Sequence, residues 1–206
     1  MAAPTASTSS IDICARALVL VGANPITSFE DGTTEATITS NLYEDVVRAD
    51  LSSYRWRFAT KQAVLNRLAD APTSRWDAAY QLPSDVLTVN AVTVAEKAID
   101  YDIYGDNVYA NAGVDESLVI DYVYRPDESE WPPHFVLMVQ YHMASILAGS
   151  LARDAGLAKL MADQHQAQNI RARGIDSQQQ TTRRLTVNRF LEGSGRRSTR
   201  GSRRER

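Results

Sequence analysis

The sequence predicts an α+β fold that is mainly α: a bundle of about four helices, a small antiparallel β-sheet inserted between the second and third, and an extended C-terminal arm. Three observations predict it. Apolar residues recur at helical spacing in the first third of the chain and again after Pro133, β-branched residues crowd the middle, and arginine without lysine fills the last stretch.

Residues 1–9 are small and polar and are expected to form a flexible N-terminus. The Ser/Thr cluster ending at Ser10 supplies caps for a first helix over 10–21, with Ile11, Cys14, Ala15, Leu18 and Val21 on one face; Gly22, Asn24 and Pro25 end it. The loop from Ile26 to Gly32 leads to a second helix over 34–56. It has Glu35 at its positive end, and Ile38, Leu42, Val46 beside Asp45, and Ala49 follow at helical spacing.

A β region then spans about 59–125. Ala59 to Leu68 reads as extended, Val86 to Val94 is dense in β-branched residues, and Ile99 to Tyr104 alternates. Gly105-Asp-Asn107 is turn chemistry before Val108, and Leu118 to Tyr124 alternates again until Pro126 stops it, giving about four strands in one sheet.

Trp131-Pro-Pro133 marks the return to helix, because proline suits a first helical turn. The third helix, over 133–151, is apolar on most of its circumference and should be packed on several sides. Asp154 caps a fourth, over 154–173, with Leu157, Leu160, Met161, His165, Gln168 and Ile170 on its face. Residues 10–174 therefore form the body, and 175–206 an arginine-rich arm whose Gly/Ser/Arg end has no means of burying itself.

With 206 residues and 44% hydrophobic content the chain can build a real core. Its longest apolar run lies within Ala15 to Val21, far short of the roughly 20 residues a bilayer crossing demands, so no membrane span is expected. The start lacks a basic segment ahead of an apolar one, which argues against a secretory signal and for synthesis in the cytoplasm. A single cysteine, Cys14, excludes an internal disulfide and reads as a small buried hydrophobe. The net charge of −3 conceals a division: from Arg171 onward eleven arginines face three acidic residues, a local +8, so the rest of the chain carries −11. Such asymmetry signals a partner for the arm.

Motifs for catalysis are missing. There is no phosphate loop, no GxGxxG, no GxSxG elbow, no HExxH and no cysteine pair. His134 and His142 stand eight apart on one expected helix, roughly 12 Å along its axis, too far for a common ion. Each of the three histidines, His165 included, reads as a structural side chain, and no catalytic, cofactor-binding or metal residue is assigned. The acidic run Asp127-Glu-Ser-Glu130 reads as a solvated loop, since a catalytic acid needs an apolar pocket to raise its pKa. Tyr101, Tyr104 and Tyr109 alternate with Asp100, Asp102 and Asp106, whose charges repel phosphate, so these tyrosines, with Trp131, are candidates for protein interfaces.

The arm has three readings: docking onto a protein, contact with phosphate, or a solubilising terminus. Arginine without lysine favours bidentate pairing, and the segment from Leu185 to Leu191 adds apolar anchors that a protein groove uses. The docking candidates are Arg183, Arg184, Leu185, Val187, Arg189, Phe190, Leu191, Arg196 and Arg197.

An ordered string of landmarks runs through the body. Leu20-Val-Gly-Ala-Asn-Pro-Ile26 is followed by Phe29-Glu-Asp-Gly32, Ala36 to Tyr43, Leu51-Ser-Ser-Tyr-Arg-Trp-Arg-Phe-Ala59, Tyr80-Gln-Leu-Pro-Ser-Asp85, Tyr122-Val-Tyr-Arg125 and Trp131-Pro-Pro-His-Phe135. In order and spacing this string resembles the tail tubular protein A family of short-tailed phages and the wider group of head–tail adaptors, over roughly Ile11 to Arg173. The resemblance implies a helical bundle with an inserted β region, assembled as a ring, twelvefold in the family, beneath the portal protein. It implies a virion protein of the neck or tail, made in the host bacterial cytoplasm, that lines the DNA channel and serves genome retention and ejection. Its partners would be its own copies, the portal and a downstream tail or neck protein. DNA would pass without sequence-specific recognition, no membrane or cofactor would be involved, and the arm would dock on the portal. Two other classes stay open: a peptidoglycan-degrading tail accessory enzyme using a carboxylate pair, and a nucleic-acid-binding protein acting through its arginines.

Overall fold

Ser9 opens the first helix by a reciprocal pair of bonds: its hydroxyl accepts from the Asp12 backbone N–H at 3.1 Å while the Asp12 carboxylate accepts from the Ser9 N–H at 3.1 Å. A computed structural model describes residues 9–70, 72–73 and 75–179, so every docking residue from Arg183 to Arg197 lies outside the described residues. Helix α1 spans Ser10–Leu20 and stops where Gly22 turns left-handed, at a φ of 75°. Helix α2, Thr34–Ser52, is capped by the Thr33 hydroxyl. Helices α3, Pro133–Ser150, and α4, Ala155–Gln178, complete the bundle, with Asp154 capping α4 through the Leu157 N–H.

Between α2 and α3 the described residues form seven strands: β1 Thr60–Val64, β2 Ala78–Gln81, β3 Val86–Val94, β4 Lys97–Ala98, β5 Tyr101–Tyr104, β6 Asn107–Ala110 and β7 Leu118–Tyr124. The fold is therefore α+β with helices predominating. All strand pairs are antiparallel, as expected, but they form two sheets instead of one, ordered β1-β7-β3-β4 and β2-β6-β5. The alternation read from sequence belongs to two inner faces: Val108 and Ala110 of one sheet share a core with Val92, Leu118 and Ile120 of the other. The tight turn at Gly105, with a φ of 59°, joins β5 to β6.

Strand β7 divides the molecule. Its Leu118, Ile120 and Tyr122 enter the core between the sheets, whereas Val123 enters a second core built by the helices. Period-two geometry assigns the neighbouring residues to opposite faces. Into the helical core α1 sends Ile13, Cys14, Ala17 and Leu18, and α3 contributes Phe135, Met138, Val139, Met143 and Leu147.

Several boundaries and faces differ from expectation for identifiable reasons. Helix α2 ends at Ser52, not 56, because Trp56 turns inward, fully buried, and its indole Nε1 donates to the Asp50 carbonyl at 3.0 Å. Its buried face runs through Tyr43, Val46, Val47, Asp50 and Leu51, leaving Ala49 outside. Helix α4 continues past Gly174 to Gln178, so the body reaches beyond the expected 174. The cause is Asp176, buried, whose carboxylate accepts from the Arg57 N–H at 3.1 Å while its carbonyl accepts from Arg57 Nε at 3.1 Å. On the same helix Leu160 and Ile170, expected on the packed face, are exposed, and Met161 and Ala172 are buried.

Replacing Trp56 by alanine removes the largest fully buried side chain of the helical core and is expected to cost about 3–5 kcal/mol in urea unfolding. Leu160→Ala, on the exposed face of α4, should change stability by no more than about 0.5 kcal/mol.

Candidate functional site

Three of the landmark segments, Leu51–Ala59, Tyr122–Arg125 and Trp131–Phe135, converge on one junction. Phe135, in the first turn of α3, meets Trp56 at 5.1 Å between ring centroids, Phe58 at 4.9 Å and Trp131 at 5.0 Å. Edge-to-face contacts of this kind stabilise beyond simple burial. The backbone closes the same joint, since the Tyr124 N–H donates to the Ala59 carbonyl at 2.9 Å.

Arg125 locks the outer side of the junction. Its guanidinium donates to Glu128 at 2.7 Å and Glu44 at 3.2 Å, also reaches the Pro126 carbonyl, and lies 5.3 Å over the Trp131 ring. The Tyr43 hydroxyl donates to Glu128 at 3.0 Å. Burial alone pushes the Glu128 carboxyl up, but bonds from Arg125, from its own backbone and from Tyr43 together hold it below the usual range. Trp131 itself is buried, its Nε1 donating to the Pro126 carbonyl at 3.1 Å. The expectation that it serves an interface is thereby corrected: the residue is part of the core.

A second joint ties the Tyr80–Asp85 landmark to the Tyr122–Arg125 landmark. Tyr122 donates to Asp85 at 3.2 Å, and Lys61 bridges the pair by approaching Asp85 at 3.6 Å and the Tyr124 ring at 3.5 Å.

The interface tyrosines have different fates. Tyr104 is 52% exposed beside exposed Ile103 on β5, the edge of its sheet, and packs edge-on against half-buried Tyr109 at 5.3 Å. Its hydroxyl and Arg75 both engage Asp102. Tyr101 is half-buried against the core between the sheets. Only Tyr104 of the four thus presents most of its ring outward.

One surface escaped the sequence reading. Ala15, Val19 and Leu20 of α1, with Pro25, Leu137 and Tyr141, line an apolar groove of about 370 Å³ rimmed by Arg16. Val19 and Leu20 fall off the inner face of α1, and that misplacement of apolar residues was the available signal.

Two groups with potential for bond-making chemistry, Cys14 and Glu128, are held unreactive by their surroundings. Cys14 is buried, and burial together with the Glu128 charge pushes its thiol up to about 12, so it is inert. Glu128 is shifted down, opposite to the direction a general acid requires. Among the described residues no helix is long and apolar enough to cross a membrane. The sequence comparison set only His134 and His142 apart; between helices, His142 and His165 stack with centroids 4.3 Å apart, and His142 Nδ1 lies 2.9 Å from Asp50 Oδ1. No family model matches the chain, and a comparison with curated proteins finds no similar one.

Cys14 should be unreactive toward a thiol-specific disulfide reagent in the native protein and react once when the chain is unfolded in urea. Because the Glu128 pKa is depressed on folding, its contribution is present above the ordinary carboxyl range and lost as pH falls through the depressed value. Glu128→Gln should therefore lower stability at neutral pH and flatten the acid limb of the stability–pH curve.

Proposed function

We propose that this chain is a non-enzymatic structural virion protein, a head-to-tail adaptor that assembles with its own copies into a ring between portal and tail. The observation that carries the reading is the convergence of the landmarks. Three of the segments on which the adaptor resemblance rests, Leu51–Ala59, Tyr122–Arg125 and Trp131–Phe135, are far apart in sequence yet meet in one joint between the helical bundle and the two sheets, and a fourth, Tyr80–Asp85, is tied to it through Tyr122. They are determinants of a common architecture, as expected of residues shared through a fold and not through an active site.

In this reading the helices form a stiff wall of the channel, and the sheet region with Ile103 and Tyr104 supplies contacts to neighbouring proteins. The arginine-rich arm follows directly on α4, whose end is clamped to Arg57 by Asp176, so a pull on the arm is transmitted to the junction. Twelve weak arms on one oligomeric portal act with avidity, because each attachment raises the effective concentration of the next. The residues before Arg171, carrying −11 against the +8 from Arg171 onward, keep the channel protein from gripping DNA as it passes.

Electron microscopy of the full chain mixed with the portal of its own virus should show a twelvefold collar below the portal. A chain truncated after Gln179 should keep its helical circular dichroism and its unfolding midpoint yet no longer bind portals. Full binding by the truncated chain would contradict docking through the arm, and clearing of cell-wall material by the purified protein would favour an enzyme.

A further inference from the structure

Three helices meet at a cluster that the adaptor reading does not use. Asp50 lies on the inner face of α2, His142 on α3 and His165 on α4, and one carboxylate oxygen and one nitrogen of each ring all lie within 4.8 Å of one another. Asp50 is only 4% exposed. Its Oδ1 meets His142 Nδ1 at 2.9 Å, while Oδ2 is buried without a hydrogen-bond partner among the described residues. A buried carboxylate with one oxygen unmet is an unfavourable arrangement unless something else satisfies it.

The two imidazoles are stacked at 4.3 Å with 30° between their planes, so a double positive charge there is strongly disfavoured. The cluster brings together a carboxylate and two imidazoles, the donor set of borderline divalent metals. His165 Nδ1 lies 3.2 Å from the Met138 carbonyl. In metal centres such a bond fixes the tautomer and leaves Nε2 free to ligate. The His142 side chain keeps 28% of its surface exposed, which provides an entry path.

A proton shared by Asp50 and His142 accounts for one oxygen and one ring. A divalent ion accounts for the carboxylate and both rings together. Donor atoms around a tetrahedral ion with ligand bonds of about 2.0–2.1 Å stand roughly 3.3 Å apart, so the triangle contracts by no more than about 1.5 Å at its longest edge. Side-chain rotation covers that distance.

We propose that Asp50, His142 and His165 bind one divalent transition-metal ion of the zinc type, each neutral imidazole ligating through the lone pair of its unprotonated nitrogen, and that the ion pins α2, α3 and α4 together. Three protein ligands leave a fourth position for water. The site stands independently of whether the chain forms rings.

The test is a titration of the full chain, stripped of metal by a chelator and dialysed, with cobalt(II). The expected result is visible d–d absorption of tetrahedral intensity that saturates at one ion per chain, is bleached by zinc(II), and is accompanied by a higher unfolding temperature. His142→Gln and His165→Gln should each weaken cobalt binding at least about tenfold. His134→Gln, a histidine outside the cluster, should leave it unchanged. Should either cluster variant fail to fold, zinc X-ray absorption on the unaltered chain decides, with two imidazoles in the first shell expected. Weak octahedral spectra, non-saturating binding, unchanged affinity in both folded variants, or a first shell without imidazole would each overturn the proposal.

Discussion

The structure depends on the packing of Trp56 against Phe135, backed by Phe58 and Trp131. Trp56 and Phe58 come from the segment between α2 and β1, and Trp131 and Phe135 from the entry to α3, the two places where the chain passes between helix and sheet. Burying them together sets the direction of each passage. The Asp50 carbonyl receiving the Trp56 indole ends α2, and the Ala59 carbonyl receiving the Tyr124 N–H aligns β7 with the segment that starts β1. Arg125 then closes the joint from outside, neutralised by Glu44 and Glu128 and stacked on Trp131, so that a partly buried cation has partners for its charge.

From that joint the two cores follow. Strand β7 passes through it with alternate residues committed to opposite sides, Val123 to the helices and Ile120 and Tyr122 to the sheets. A one-residue slip would put Asp121, now paired with Arg55 at 2.6 Å, into the core between the sheets. The register of the β region is thereby tied to the bundle.

Elements whose evidence is local were legible in the sequence. The Ser9 and Asp154 caps, the proline entry of α3 and the alternation of β7 are set by residues within one turn or one strand of each other. What depended on distant partners was not. The division into two sheets requires knowing that Val108 faces Leu118 across a core, and the burial of Trp131 requires Phe135, Arg125 and the Pro126 carbonyl in place. Helix α4 outruns its expected end because Asp176 finds the Arg57 backbone, 119 positions away. The nearness of His142 to His165 was hidden for the same reason: the comparison made from sequence was within one helix, and the encounter is between two. The arm's docking residues lie outside the described residues, so their assignment rests on composition and on the adaptor resemblance.

The functional account asks most of the claim that this chain is a building block of a particle and not a soluble catalyst. Its surface offers an apolar groove on α1 and α3, an exposed β edge and an arginine-rich arm. The most direct measurement is quantitative mass spectrometry of phage particles purified from cells in which the chain is made, with the portal as internal standard. The account predicts the chain in every particle at one copy per portal subunit. A chain found in infected cells but absent from purified particles would contradict it.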